Sequence, residues 1–302
     1  MMKAKSINLL IVIAIGAELA FHLYQLLSSI YFLFNNSNLF YLLRIVIFQI
    51  LPIVGLAIFI SSKYKKFNLL QMYMAMQVIL LPFSLVNIYD IFNYFSQHGL
   101  NFENGIYFIP NAILSFASSI VSCIGMWHFS KMKVANIQNI ENNEAFFSQF
   151  NPAKNGLRFT NRFIDLFAIV YVGFFGIASV SSVFHFTGIP EEGPALFLLQ
   201  IPFLFYYYLI LEGIFGTTIG KIATNTIVTN EYAEKANFGL ILGRTFCRLI
   251  PFDAFSFFAQ NPRGWHDSIS GTYVVDCILA DDLQKEIEFD FEKKDYLENQ
   301  IH

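Results

Sequence analysis

Apolar positions fall in long unbroken runs, unlike the stripes of a surface helix or the alternation of a half-buried strand. Six runs are long enough to cross a bilayer, for which about 20 consecutive apolar residues suffice: residues 7–34, 39–60, 69–89, 106–129, 163–189 and 195–215. Pro52 predicts a kink in the second run, and Pro82 falls inside the third. The first run follows Lys3 and Lys5, as the apolar part of a signal peptide would. It is too long for that role and no small-x-small site follows it, so it reads as an uncleaved helix. Residues 130–157 are rich in Asn, Gln, Glu and Lys and mark a boundary between two modules.

The cationic residues orient these runs, because short cytoplasmic loops collect Lys and Arg. With the N-terminus inside, Lys3, Lys5, Lys63, Lys65, Lys66, Lys131, Lys133, Lys154, Arg158, Arg162 and Lys221 all become cytoplasmic. The loops 35–38, 93–105 and 188–194 contain no Lys or Arg, and only Arg44 lies toward the outside. The pattern predicts six spans with both termini in the cytoplasm.

Residues 238–259 form a further apolar stretch, but Arg244 and Arg248 lie within it and Pro251 and Asp253 follow. An arginine at a helix centre in lipid costs about 2.5–3.5 kcal/mol. The stretch therefore reads as an amphipathic or re-entrant segment on the cytoplasmic side, its arginines turned to water or headgroups. Residues 222–229 and 272–279 are rich in β-branched side chains and predict a small sheet on either side of it. A segment that leaves one sheet and returns to it does not cross.

Composition sharpens the picture. The chain is 55% hydrophobic and only 14% charged, against about 25% charged in a soluble domain, with a mean hydropathy of +0.51. This is the composition of a membrane protein, its 36 phenylalanines serving lipid-facing or packing surfaces. The net charge of −3 is concentrated in residues 281–302, an acidic, solvated tail. Cys123, Cys247 and Cys277 lack metal or disulfide spacing and read as small apolar residues.

Four pieces of the second half stand out: Gly156-Leu-Arg-Phe-Thr-Asn-Arg-Phe-Ile-Asp165, Glu212-Gly-Ile-Phe-Gly-Thr-Thr-Ile-Gly-Lys221, Gly243-Arg-Thr-Phe-Cys-Arg-Leu-Ile-Pro-Phe-Asp253 and Arg263-Gly-Trp-His-Asp-Ser-Ile-Ser-Gly-Thr-Tyr-Val-Val275. In that order they resemble the RDD family of prokaryotic membrane proteins, named for one arginine and two aspartates. Matched to that pattern, these are Arg158, Asp165 and Asp267. The resemblance covers about two fifths of the chain, and residues 1–129 hold no motif of the family. It implies a membrane domain and, as an expectation, transport of a small solute, such as Na⁺ in exchange for H⁺.

The residues themselves leave alternatives open. Arg158, Arg162 and Asp165 are spaced i, i+4, i+7 and share one helix face; they form either an interfacial ion pair that sets helix depth or a cation or proton site. Glu212, near the end of the sixth run, is either a paired structural carboxylate or a functional one, the default for an intramembrane acid. Asp253 and the Trp265-His266-Asp267 segment join it, with Asp165, Arg244 and Arg248, in a polar nest at the inner boundary of the bilayer; Lys221 belongs to the cytoplasmic cap. Transporter sites usually lie near the midplane, and this nest is shallow. The deepest ionisable pair is Glu18 and His22, four residues apart in the first run, with Glu18 about 16 Å from its inner end. It reads as a proton- or ion-carrying pair or as a hydrogen-bonded pair facing the bundle.

Other leads fail. Gly216-Thr-Thr-Ile-Gly-Lys221 has three residues between its glycines where a phosphate loop has four, and Ile222 stands where Ser or Thr would hold Mg²⁺. No nucleophile–base pair, metal-ligand spacing or basic nucleic-acid patch occurs, so neither an enzyme, a metal, a cofactor nor a nucleic acid is expected. The expected architecture is an all-α polytopic membrane protein of about six helices, with the re-entrant segment and a small β element. It divides into a four-span module (1–129), a connector (130–157), an RDD-like membrane domain (158–280) and the tail (281–302). Its partners are the bilayer and, for transport, a monovalent cation and a proton. A scaffold or assembly factor recruiting a membrane-protein partner or a second copy through its cytoplasmic cap is the alternative.

Overall fold

The computed structural model describes residues 4–28, 50–98, 102–141, 153–178, 194–230, 234–250, 253, 256 and 264–277. Its elements in chain order are α1 (Ala4–Ser28), α2 (Leu51–Ser61), α3 (Asn68–His98), α4 (Phe102–Glu141), α5 (Asn155–Ala178), α6 (Pro194–Tyr208), α7 (Ile219–Ala223), β1 (Thr226–Thr229), α8 (Phe238–Cys247), α9 (Trp265–Ser270) and β2 (Tyr273–Asp276). The described chain is mostly helical, and its two strands pair as one small sheet, as the apolar runs and the β-branched stretches predict. A single π turn, Leu209–Ile214, prolongs α6.

Two helices, Asn68–Asn93 and Ala112–Met132, are long and apolar enough to cross a bilayer; Leu51–Ser61, Ile201–Ile214 and Phe238–Cys247 are shorter apolar helices. Six spans are thus not each present as a described helix of spanning length. The ends of the first, second and fifth apolar runs fall in 29–49 and 179–193, outside the described residues. Arg44 and the acidic tail lie outside them too. Pro52 occupies the first turn of α2, where its missing N–H costs nothing, while Pro82 sits inside α3. The connector also differs from expectation: α4 runs on through Glu141 instead of stopping at the end of the fourth apolar run.

The chain forms two compact units. One comprises Met1–His128 and Asp165–Tyr207, the other Phe129–Ile164 and Tyr208–His302. In the first, α2 packs on α1 and α3. Gly55 makes the second contact possible, since a Cβ there would stand 2.9 Å from the backbone nitrogen of Leu70. Ile11, Ile15, Tyr73, Met74, Ile79 and Met126 are fully buried in this unit, while Leu9, Ile13, Tyr89, Phe92 and Ile113 are exposed. Large apolar side chains turned outward on long helices are lipid-facing surface.

In the second unit the sheet is antiparallel, with Thr226 opposite Asp276, Ile227 opposite Val275, Val228 opposite Val274 and Thr229 opposite Tyr273. The Ala153 N–H donates to the Val274 carbonyl, tying the start of α5 to the sheet edge. Between the strands, α8 has ten residues, about 15 Å of helix, half the thickness of the hydrocarbon core. It packs against the π turn and α9. Residues 238–247 therefore do not cross a bilayer.

Candidate functional site

Local sequence explains how the second unit gathers its charges. The π turn ends at Gly216, whose φ of 69° lies in the left-handed region where a side chain is strained. The Gly216 and Thr217 N–H groups donate back to the carbonyls of Glu212 and Leu211. Thr218 then caps α7, its hydroxyl accepting from the Lys221 N–H at 3.3 Å. The chain has reversed within one tight loop, and Lys221 Nζ reaches Glu212 Oε1 at 2.6 Å. The Gly-Thr-Thr-Ile-Gly-Lys run is thus a return loop that delivers a lysine to a carboxylate.

Two more cations come from α8. Asn237 caps it by accepting from the Leu240 N–H at 2.9 Å. Arg244 and Arg248, four residues apart, point from one face. Arg248 donates to Glu212 Oε1 at 2.7 Å, and Arg244 Nε lies 3.2 Å from Oε2. Arg244 also pairs with Asp267 and donates to the Thr272 hydroxyl at 2.6 Å. Asp267, on α9, pairs with Arg158 of α5 as well. Gly271, left-handed at φ 66°, ends α9. His266, Asp267 and Ser270 stay on its buried face, while Trp265 and Ile269 are exposed.

Arg244 therefore bridges the two carboxylates at the centre of the cluster. Arg158, Lys221, Arg244, Arg248, Glu212 and Asp267 are each at most 6% exposed. This corrects one expectation: the arginines of 238–259 turn inward and not to water or headgroups. The rule that an arginine is costly in an apolar segment assumes lipid around it, whereas these meet two buried carboxylates. Buried charges persist only when mutually paired, and removing one partner is far costlier than the net worth of the pair.

At the edge of the cluster, His266 Nδ1 lies 2.9 and 2.8 Å from the two Asp253 oxygens, and the His266 N–H donates to Asp253. The ring nitrogen facing the carboxylate carries the proton, so Nε2, 3.7 Å from Asp267, is the position that titrates. Burial holds its second proton off, reinforced by Arg248, Arg162, Lys221 and Arg158, so His266 titrates well below 6.5. Burial pushes Asp253 up, against the pull of Arg162, the His266 N–H, Arg248 and Arg158.

Arg162 is only half-buried. It donates to the Tyr208 hydroxyl at 2.7 Å and to the Arg248 carbonyl at 3.4 Å. The Arg248 guanidinium stacks on the same ring, 3.7 Å from its centroid, and that of Arg162 lies 5.6 Å from it. Asn161, next to Arg162 on α5, faces Thr224 and Thr226.

The other sequence candidates belong to the first unit. Asp165 accepts from the Tyr207 hydroxyl at 2.7 Å. The second family aspartate and the family arginine thus meet each other, while the first aspartate is placed in the other unit. Glu18 is 2% exposed on α1. It accepts from Tyr73 at 2.8 Å, from Gln77 at 2.9 Å and from Ser118 at 2.5 Å. Gln77 also donates to the Tyr73 hydroxyl at 2.6 Å and accepts from Ser119 at 3.2 Å. The side chain of His22, its expected partner, lies outside the described residues.

Sequence reasoning missed Tyr73, Gln77, Ser118 and Ser119. A signal existed: Tyr73 and Gln77 are four apart in an apolar run, and polar side chains inside such a run must find partners. Tyr207 and Tyr208, the hydroxyl partners of Asp165 and Arg162, were missed as well, since neither type nor spacing sets them apart in a run of three tyrosines.

No curated protein and no solved structure shows a match to the chain. The model of the RDD family matches residues 152–271, the stretch that holds Arg158, the return loop, the arginines of α8 and Asp267. With two helices long and apolar enough to cross a bilayer, the match marks this as a membrane protein. Residues 152–271, about two fifths of the chain, are a domain of the RDD family.

Proposed function

We propose that the protein is a multi-pass transporter, not an enzyme, that exchanges a monovalent cation such as Na⁺ for a proton, with Glu18 as the group that changes partners. The observation carrying this reading is the shell around that carboxylate. Tyr73, Gln77 and Ser118 come from two other helices of the same unit, and all are neutral. Hydroxyl groups both donate and accept. Such a shell accommodates a carboxylate, a carboxylic acid or a carboxylate holding a cation, the sequence of states exchange requires. An ionisable side chain deep in an apolar helix is otherwise costly.

A second observation points the same way. On the same two helices, α3 and α4, Gln71 and Ser122 are buried with side-chain polar atoms that meet no partner among the described residues. Buried polar groups without partners are uncommon and suit a path that admits water or ions. Glu212 and Asp267, each held by two or more cations, are poor sites for a further cation. They fit the maintenance of the RDD-family domain, and Asp165 with Tyr207 remains a second proton-carrying candidate. The topology in this reading has six spans and both termini cytoplasmic, as the lysine and arginine distribution favours.

The test is a cation-driven collapse of ΔpH in inverted vesicles from antiporter-deficient cells, compared at equal membrane abundance. Wild type is expected to respond to Na⁺, Li⁺ or K⁺, and Glu18→Gln to lose the response. Loss in Asp165→Asn alone moves the site to Asp165. Vesicles containing wild type that behave as empty ones across pH 6–9 rule the exchange out. The saturated ion cluster would then favour the scaffold reading, which capture of a membrane-protein partner by residues 222–277 would test.

A further inference from the structure

Within the buried cluster of the second unit the charges of the described residues do not balance. Arg158, Arg162, Lys221, Arg244 and Arg248 face Glu212, Asp253 and Asp267, five cations against three carboxylates, with His266 held neutral. Four of the cations lie against the carboxylates or are buried among them. Arg162 is different. Among the described residues no carboxylate lies within ion-pair distance of it; its nitrogens meet the Tyr208 hydroxyl and the Arg248 carbonyl. It is also the only one of the five that is partly open to the surroundings.

The neighbourhood is that of a bilayer boundary. Phe159 and Phe163 flank Arg162 on α5, and Leu249 and Ile250 follow Arg248; all four are exposed. The apolar run read as the fifth span starts at Phe163, immediately after Arg162. Tyr208, under both guanidiniums, is the kind of amphipathic ring that sits at headgroup level. A guanidinium with surplus charge at this level, backed by a second one stacked on a shared ring, matches a phosphate oxygen pair in shape and sign.

We infer that Arg162, supported by Tyr208 and Arg248, is a binding site for a phosphate group, supplied by the headgroup of an anionic phospholipid whose chains lie along Phe159 and Phe163. The lipid phosphate supplies Arg162 with a negative partner that no carboxylate among the described residues supplies. The site is independent of Glu18 and of cation exchange, and stands or falls separately from them.

The experiment uses the purified full-length protein in a neutral detergent, with thermal unfolding followed on titration of phosphatidylglycerol, phosphatidylcholine or inorganic phosphate. Phosphatidylglycerol is expected to raise the midpoint more than phosphatidylcholine. Arg162→Gln is expected to weaken the half-saturating lipid concentration about fivefold, the scale for one basic side chain at an anionic surface. Arg162→Lys keeps the charge but not the fork and should fall between; it also serves if the Gln variant fails to fold. Inorganic phosphate at millimolar concentration that reproduces the rise and competes with the lipid keeps the site but overturns the lipid as its source. Equal effects of the two lipids on wild type, or an unchanged phosphatidylglycerol response in both variants, overturns the proposal.

Discussion

Glu18 and Glu212 are both buried glutamates on helices of apolar sequence, yet their surroundings are opposites. Among the described residues, Tyr73, Gln77 and Ser118, all uncharged, donate to Glu18. Glu212 faces Lys221, Arg244 and Arg248. The uncharged donors to Glu18 carry no charge of their own for the carboxylate to balance. A cationic shell does, and the three positive groups around Glu212 depend on the negative one. Burial alone therefore says little about a membrane carboxylate. The charge of the donors decides whether it is fixed as a counter-ion.

Removing charge from each glutamate breaks the symmetry most strongly. Glu212→Gln should destabilise the protein by about 3–5 kcal/mol, because it strands three buried cations; thermal unfolding in detergent measures this. Asp267→Asn should cost a similar amount, since Arg158 and Arg244 lose their shared partner. Combining Glu212→Gln with Lys221→Met should cost less than the sum of the two, by about 0.5–3 kcal/mol of coupling. Additive costs would mean that the ion pair seen in the structure contributes nothing. Glu18→Gln should cost only about 1 kcal/mol, since its donors keep a carbonyl oxygen to meet. A loss as large as that of Glu212→Gln would erase the distinction between the two sites.

The smallest effect is a pH dependence confined to the second unit. Below about pH 6.5 the unfolded chain binds a proton at His266 that the folded chain refuses. Stability should therefore decline as pH falls from 6.5, and less steeply in His266→Asn. Asp253, held up by burial, acts in the opposite sense: above about 3.8 the folded state retains a proton that the unfolded state gives up. A wild-type curve parallel to that of His266→Asn between pH 5 and 7 would show that burial and the neighbouring cations do not hold the second proton off the imidazole.

Much of the second unit was legible in the sequence. Within the β-branched runs at 222–229 and 272–279, Thr226–Thr229 does pair with Tyr273–Asp276, and charged residues in apolar context do meet, because ionic side chains there have few other places to go. What the sequence withheld was direction. An arginine's cost in lipid says nothing about a carboxylate approaching from a helix 36 positions away, as Glu212 approaches Arg248. The shell of Glu18 was hidden for a related reason. Its donors lie 55, 59 and 100 positions along the chain, and serine, tyrosine and glutamine within apolar runs do not announce which neighbour they will meet. Likewise α4 continues through Glu141 although its later residues are polar, since many polar side chains are good helix formers and loss of an apolar stripe does not end a helix.

The return loop after Glu212 has a consequence for biosynthesis. Chains emerge from the ribosome N-terminus first, so Glu212 emerges before the arginines of α8 and well before α9 exist. Its first counter-charge, Lys221, is only nine positions behind it, and the left-handed Gly216 with the Thr218 cap folds that lysine back without help from any later segment. The nascent helix can therefore be neutralised while the rest of the domain is still being made. Arg244, Arg248 and Asp267 then add to a pair already closed. Lengthening the loop would leave the folded cluster intact in composition but would leave Glu212 a bare anion until α8 is made.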